Sequence, residues 1–416
     1  MYPQFKHFPV NWTNGMKISS AEFVAMENAV QDALRDMRCA GLHEFRYGLL
    51  PTSNLEVERY PKLQFNFAQS SIVLHECRAI TSGGHRIEIS EQTYESQSVP
   101  AQLPSVTISP QDYGIHEVFL TVHTFERVGA GRYAEDIPPR HSTISPRYEL
   151  SLQRKGENSV TGTGPNILKI TEVELRDGKL AAILSETGDY IPPCVSLRAH
   201  RRLEAAHQAF EQILNNVLEH GKVLMRDVAP YVQNNQDAKD ASNVSEKVAS
   251  HLLTNLSYYN LILPNQPPIN LIAFVQDLAR YASFAVGLCF QGNLVKKAFD
   301  QYGVNRSADA LVGNRPNHLN IYNSLKLAHE FLVVLEQFFN ALRQHQFKTI
   351  KIDVTDVNKA QFQPQQQPSY PPPPPPPSQP YYSTPPPPPP PMQAYPPPTP
   401  PQPHVEQPSE QKKRPF

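Results

Sequence analysis

The sequence is poor in the side chains that staple, chelate or anchor a protein. It has only four cysteines, Cys39, Cys77, Cys194 and Cys289, and no two stand close enough for a zinc knuckle or a redox pair. Small disulfide scaffolds are far richer in cysteine, so these thiols suit a reducing compartment and read as small apolar fillers. No run reaches the ~20 apolar residues that cross a bilayer. The most apolar stretch, 271–290, carries Gln276, Asp277 and Arg280, as a buried soluble helix would. The first residues lack a charged region followed by an apolar run, so no secretory signal is expected. Charge of one sign is also missing: 38 basic and 39 acidic residues leave a net charge of −1. Such a balance gives no field for duplex DNA or anionic lipid. Together these absences predict a cytoplasmic protein with no nucleic-acid partner and no direct insertion into a membrane.

Catalytic constellations are missing as well. There is no Gly-x-x-x-x-Gly-Lys-Ser/Thr loop and no Gly-x-Ser-x-Gly elbow. Gly162-Thr-Gly164 is a fragment of a dinucleotide fingerprint in a polar loop, where a turn is the better reading. His329-Glu330 begins like a zincin motif but has no second histidine on its helix face. His200 and His207 lie seven apart, yet two ligands without a third do not hold a metal. Glu135-Asp136 reads as solvated loop charge. The expectation is a non-enzymatic chain with no cofactor.

What is present falls into three regimes. Residues 1–197 read as β-rich, after one helix over 21–37. Strands are expected at 63–67, 71–80, 86–89, 117–125, 147–153, 167–175 and 180–184. Val118, Leu120 and Val122 share one face, as do Tyr148, Leu150 and Leu152, which is the period-two burial of antiparallel sheets. Gly83-Gly84, Gly129-Ala-Gly131 and Arg176-Asp-Gly178 read as turns. Sandwich or barrel follows. Residues 198–352 change to helical period, with four amphipathic stripes: Leu203 to Leu218, Val244 to Tyr259, Leu271 to Ala285 behind Pro267-Pro268, and Tyr322 to Leu342. An antiparallel four-helix bundle is predicted. Its expected packing residues, within the chain or against neighbouring copies, are Phe274, Leu278, Leu332, Leu335 and Phe338. The third regime, 353–416, is a proline-rich tail expected to be disordered. From 361 onward it holds 25 of the 43 prolines, with runs at 371–377 and 385–391. Proline removes the backbone donor and fixes φ, so the tail should favour extended polyproline II.

Two short motifs carry a resemblance. Trp12, the lone tryptophan, opens Trp-x-x-Gly15-Met16 ahead of the first helix, and Tyr47-Gly-Leu-Leu-Pro51 follows that helix. Asp189-Tyr190-Ile-Pro192-Pro193-Cys194 stands where strands give way to helices. Both, with this domain order, resemble the TssK family of type VI secretion baseplate proteins. The resemblance covers roughly residues 8 to 350. It implies a homotrimer whose β-sandwich shoulder is similar to phage receptor-binding proteins and docks onto the wedge subunits TssF and TssG. It also implies a helical neck, and an adaptor role linking the wedge to the membrane-anchoring complex at the inner-membrane face. Trp12, Gly15 and Met16 are then partner-binding or shoulder-shaping. Tyr190, Pro192 and Pro193 form an interdomain hinge that sets the exit angle into the bundle. After Ile352 the chain departs from the family, with the tail where a C-terminal head is usual. Tyr370, Tyr381, Tyr382 and Tyr395 interrupt its runs and are candidate docking residues, for a membrane-complex subunit among others; a plain spacer is the alternative. Competing readings are a phage-type baseplate or receptor-binding subunit and a polyproline-presenting adaptor.

Deletion of 361–416 is expected to reduce recruitment of the protein to the membrane complex, scored by fluorescence localisation and by secretion. Unchanged recruitment and secretion would leave the tail as a spacer.

Overall fold

The structure, a computed structural model, describes residues 4, 6–51, 61–66, 68–90, 103–134 (131–134 as backbone only), 137–156, 164–291 and 293–347. By contacts the chain divides into 1–351 and 352–416, and the tail with its four tyrosines lies outside the described residues, as do Glu135-Asp136 and Gly162-Thr163.

The fold is α+β. The first helix, α1 (Ser20–Ala40), begins at a capping box in which Ser19 and Glu22 satisfy each other's orphan groups. Nine antiparallel strands follow among the described residues, in two sheets. In one sheet the long β3 (Ser71–Ile80) is central. It pairs with β1 (Gly48–Leu49), β2 (Lys62–Asn66), β4 (Arg86–Ile89) and β5 (Ser105–Thr107). The other sheet runs β7-β6-β8-β9, from Arg140–Arg154, Gly114–Ala134, Ile167–Arg176 and Lys179–Ile183 respectively. Val118, Leu120 and Val122 are buried as their alternation predicts.

Two strands are much longer than the sequence pattern implies. β6 and β7 stay paired from His116↔Arg154 out to Ala134↔Arg140, while β8 backs β6 only from Gly114 to Thr121. The outer half is therefore a two-stranded ribbon. Gly129-Ala-Gly131, expected as a turn, lies inside it, with Gly129 opposite Ile144 and Ala130 opposite Thr143. The glycine is needed for space rather than for a turn: a Cβ on Gly129 would fall 2.4 Å from the His141 ring. Arg176-Asp-Gly178 does turn, with Asp177 and Gly178 at φ 51° and 69° joining β8 to β9.

After a single helical turn, α2 (Leu184–Thr187), come α3 (Arg201–Val228), α4 (Gln236–Ser257), α5 (Pro268–Gly287), α6 (Leu294–Gln301), α7 (Val304–Gly313) and α8 (Tyr322–Gln344). The four long helices carry the four predicted stripes. α3 packs on α4 and α8, and α5 packs on the same two. The short α6 and α7, which the sequence pattern did not single out, fill the passage from α5 to α8. Asp237 and Asp240 of α4 hold α6 in place: Asp237 accepts from Leu294 N at 3.0 Å, and Asp240 from Asn293 Nδ2 at 2.5 Å.

One apolar cluster runs without a break from both sheets into the helices. Sheets and helices meet where the segment after β9 crosses β1. Leu49 N donates to Pro193 O at 2.8 Å, Val195 N to Leu49 O at 3.0 Å, and Leu49 pairs with Cys194 as a parallel bridge. Gly48, at φ 114°, admits this crossing because a Cβ there would lie 2.0 Å from the Pro193 oxygen.

Gly48→Ala is expected to destabilise the protein by roughly 3 kcal/mol or more, through clash and positive-φ strain together. Urea unfolding measures it; a midpoint within error of wild type would show that the crossing yields easily.

Candidate functional site

The predicted site residues fall into three places. Trp12, Gly15 and Met16 lie on the segment before α1. Trp12 is 46% exposed, Gly15 sits at φ 80° with no atom within 4 Å of a Cβ position, and Met16 is half-buried. Met16 N bonds Thr13 O at 3.2 Å, closing the turn that Gly15 makes possible. Further upstream the chain is tied to α1, where Asp32 accepts from the backbone N–H groups of Lys6 and His7 at 2.7 and 2.8 Å. Arg35 pairs with Asp32 at 2.6 Å, and both side chains are buried. α1 thus turns an ion pair inward. Its apolar residues Phe23, Val24, Met26, Val30, Leu34 and Met37 are all exposed.

Tyr190, Pro192 and Pro193 lie together at the crossing on β1, all buried. Tyr190 donates to Lys169 O at 3.4 Å, and the Lys169 ammonium sits 4.6 Å from its ring centroid. Burial first, then Glu172, hold the Tyr190 hydroxyl well above the ordinary tyrosine pKa. The helices grip the same segment from the other side. Arg202 of α3 donates to Gly188 O at 2.6 Å and Tyr190 O at 3.1 Å. Asn320, just before α8, accepts from Ile191 N at 3.2 Å and donates to Asp189 O at 3.1 Å. His318 Nε2 donates to Tyr47 O at 2.9 Å, on the loop entering β1. Arg202, His318 and Asn320 are the parts of this joint that sequence reasoning missed; Tyr47 and Gly48 stand in the N-terminal motif, whose place in the joint the sequence does not show.

Phe274, Leu278, Leu332, Leu335 and Phe338 are all buried inside one chain. None is available to a neighbour. The apolar side chains left outside on the helices are others: Leu253 on α4, then Tyr281, Phe284 and Leu288 along one stripe of α5 and just past its end, with Phe290 beyond. Tyr281, expected on the core stripe, is 40% exposed and stacks on His251 at 4.5 Å. Between α4 and α5 the chain widens into a π-helical turn, Tyr258–Ile262, closed by Leu263 N donating to Tyr258 O. Its Tyr259 is locked inward, stacked on His207 at 4.5 Å and donating to His207 O at 2.8 Å, while Leu261 and Ile262 stand in solvent. A one-residue widening of this kind leaves no hydrophobic-period signal.

The candidate metal and redox residues have structural roles. His200 caps α3 by accepting from Arg202 N at 3.3 Å, His207 donates to Tyr259 O at 3.1 Å, and His329 stacks over Phe210. All four cysteines are free and buried, and burial raises each thiol pKa, Cys77 to about 12. Among the described residues no group of three or more His, Cys, Asp or Glu could hold a metal ion, and no helix is long and apolar enough to cross a membrane.

With the fold in view, solved structures resemble it. One is a crystal structure of TssK, 16% identical over 79% of this chain and 69% of that one, with a TM-score of 0.48. Another belongs to the baseplate complex of the type VI secretion system, 13% identical over 80% of this chain and 100% of that one, TM-score 0.47. A third belongs to a TssK-TssF-TssG baseplate subcomplex solved by cryo-electron microscopy, 13% identical over 82% and 100%, TM-score 0.42. The chain is similar to TssK. No protein-family model and no curated protein matches it.

Burial, with nearby arginines in two cases, lowers His85, His200 and His318 from 6.5 to about 4. Below about pH 6.5 the unfolded chain takes up protons that the fold refuses, so stability present above that pH is lost as pH falls towards 4. His318→Gln keeps a donor for Tyr47 O and removes one of these titrations. Its urea midpoint is expected to fall less between about pH 7 and 5 than the wild-type midpoint does; an equal fall would remove His318 from the account.

Proposed function

We propose that this protein is a non-catalytic structural component of a type VI secretion baseplate, a trimeric adaptor between the baseplate wedge and the membrane-anchoring complex. The observation that carries the reading is the outward apolar stripe Tyr281-Phe284-Leu288. A soluble chain whose helices already close on a complete core has no internal use for that stripe, and exposed apolar patches mark protein contacts. The Trp12-x-x-Gly15-Met16 and Tyr190-Ile-Pro192-Pro193 motifs support the baseplate assignment over other assemblies.

On this reading residues 1–197 are a shoulder, an antiparallel β-sandwich of the phage receptor-binding kind. Residues 198–352 form an antiparallel four-helix neck that trimerises, and 353–416 a proline-rich tail. Trp12 and its turn face the wedge subunits TssF and TssG. The joint at Tyr190, Pro192 and Pro193 fixes the angle between shoulder and neck, so that a force on one reaches the other without loss in a flexible linker. The protein works in the cytoplasm at the inner-membrane face, with no cofactor, no nucleic acid and no segment of its own in the bilayer.

Light-scattering mass tests this. The purified chain is expected to run at three chain masses and to shift into a larger complex with the wedge subunits. Phe284→Glu should lower the mass to one chain with little change in unfolding midpoint, since exposed substitutions cost within about 0.5 kcal/mol. Trp12→Ala should keep the trimer and weaken wedge binding by roughly thirty-fold, the loss of one interface anchor. A wild-type monomer that ignores the wedge proteins would sink the proposal.

A further inference from the structure

The helix α1 is amphipathic the wrong way round. Its packed face holds Ala29, Asp32, Arg35 and Cys39, while Phe23, Met26, Val30, Leu34 and Met37 face solvent at 37 to 73% exposure. Phe23, Val30 and Met37 are seven residues apart, with Met26 and Leu34 filling the steps between them. This is the spacing of a helix–helix seam. It is also symmetric about Val30: reversed end to end, the seam sets Phe23 against Met37, Met26 against Leu34, and Val30 against itself. Methionine thioethers pack favourably on aromatic edges, so the reversed order suits its end layers.

The helix is also held as a rigid platform. Ser19 caps it, Asp32 and Arg35 anchor its inner face, and Arg127 of the ribbon braces its side, bonding Glu27 at 2.6 Å and Asn28 at 2.8 Å.

We infer that α1 is a self-complementary interface that pairs antiparallel with α1 of a second copy of this chain, about a two-fold axis through Val30. This contact is separate from the α5 stripe and does not depend on the trimer. One helix pair of this length buries an area at the low end of specific interfaces, below about 1,200 Å². Pairing is therefore weak and concentration-dependent, and crowding in an assembly strengthens it.

Single-cysteine additions in the full chain read the contact directly, whatever the underlying oligomer. Phe23→Cys and Met37→Cys proteins are mixed, treated with a short bismaleimide and run on denaturing gels. The mixture is expected to give a covalent pair of chains that neither variant forms alone. Adding Val30→Glu to both should reduce that product at least about tenfold, and replacing one of the two by Val30→Lys should restore it. Unfolding midpoints confirm that the variants fold. Phe23→Cys linking to itself would mean a parallel pair and overturn the inference. So would absence of the mixed product, including the case in which Val30→Glu abolishes binding of the wedge subunits instead.

Discussion

The approach of two backbones at Gly48 and Pro193 is the constraint on which the rest depends. A side chain on residue 48 would occupy the place of the Pro193 carbonyl, so the strand entry and the segment leaving the sheets can cross only with glycine there. Once they cross, Leu49 trades hydrogen bonds with both Pro193 and Val195. Arg202, Asn320 and His318 then have fixed carbonyls and amides to reach for, and these tie α3 and the start of α8 to the strands. Prolines at 192 and 193 lower the entropy lost in ordering the segment, because their φ angles are set before folding. The continuous apolar cluster from sheets to helices follows from that closeness.

Much of the fold was legible because burial has a period. Val118, Leu120 and Val122 announced a strand, and the stripe from Leu271 to Ala285 announced α5. The outer ribbon was not legible, since Gly129 and Gly131 are strong turn signals and the reason for Gly129 is a ring that arrives from His141. α6 and α7 were missed because helices of 8 and 10 residues offer too few repeats to set a stripe apart. The candidate site was legible in part. Tyr190, Pro192 and Pro193 were singled out together and are together, but their partners come from residues 47–48, 202 and 318–320. No one-dimensional pattern links those.

Amphipathicity was the least reliable guide to what faces outward. A stripe says that a helix has two unlike faces and leaves open which one the chain itself covers. Phe274 and Phe338 are covered within the chain, while Phe284 on the same helix as Phe274 is not. α1 makes the point most sharply, since the polar pair Asp32 and Arg35 is the covered face. There the two charges satisfy each other and the N-terminal backbone, which offsets the cost of removing them from water.

The ribbon of β6 and β7 also has a mechanical meaning. Up to Thr121 the pair is backed by β8, and past it each strand has only the other. A two-stranded ribbon twists and bends far more readily than a four-stranded sheet. Stiffness therefore falls along one pair of strands, outward from a base fixed in the core. Arg127, clipped to α1, sets where the compliance begins. That gradient grows from the sheet itself and needs no hinge.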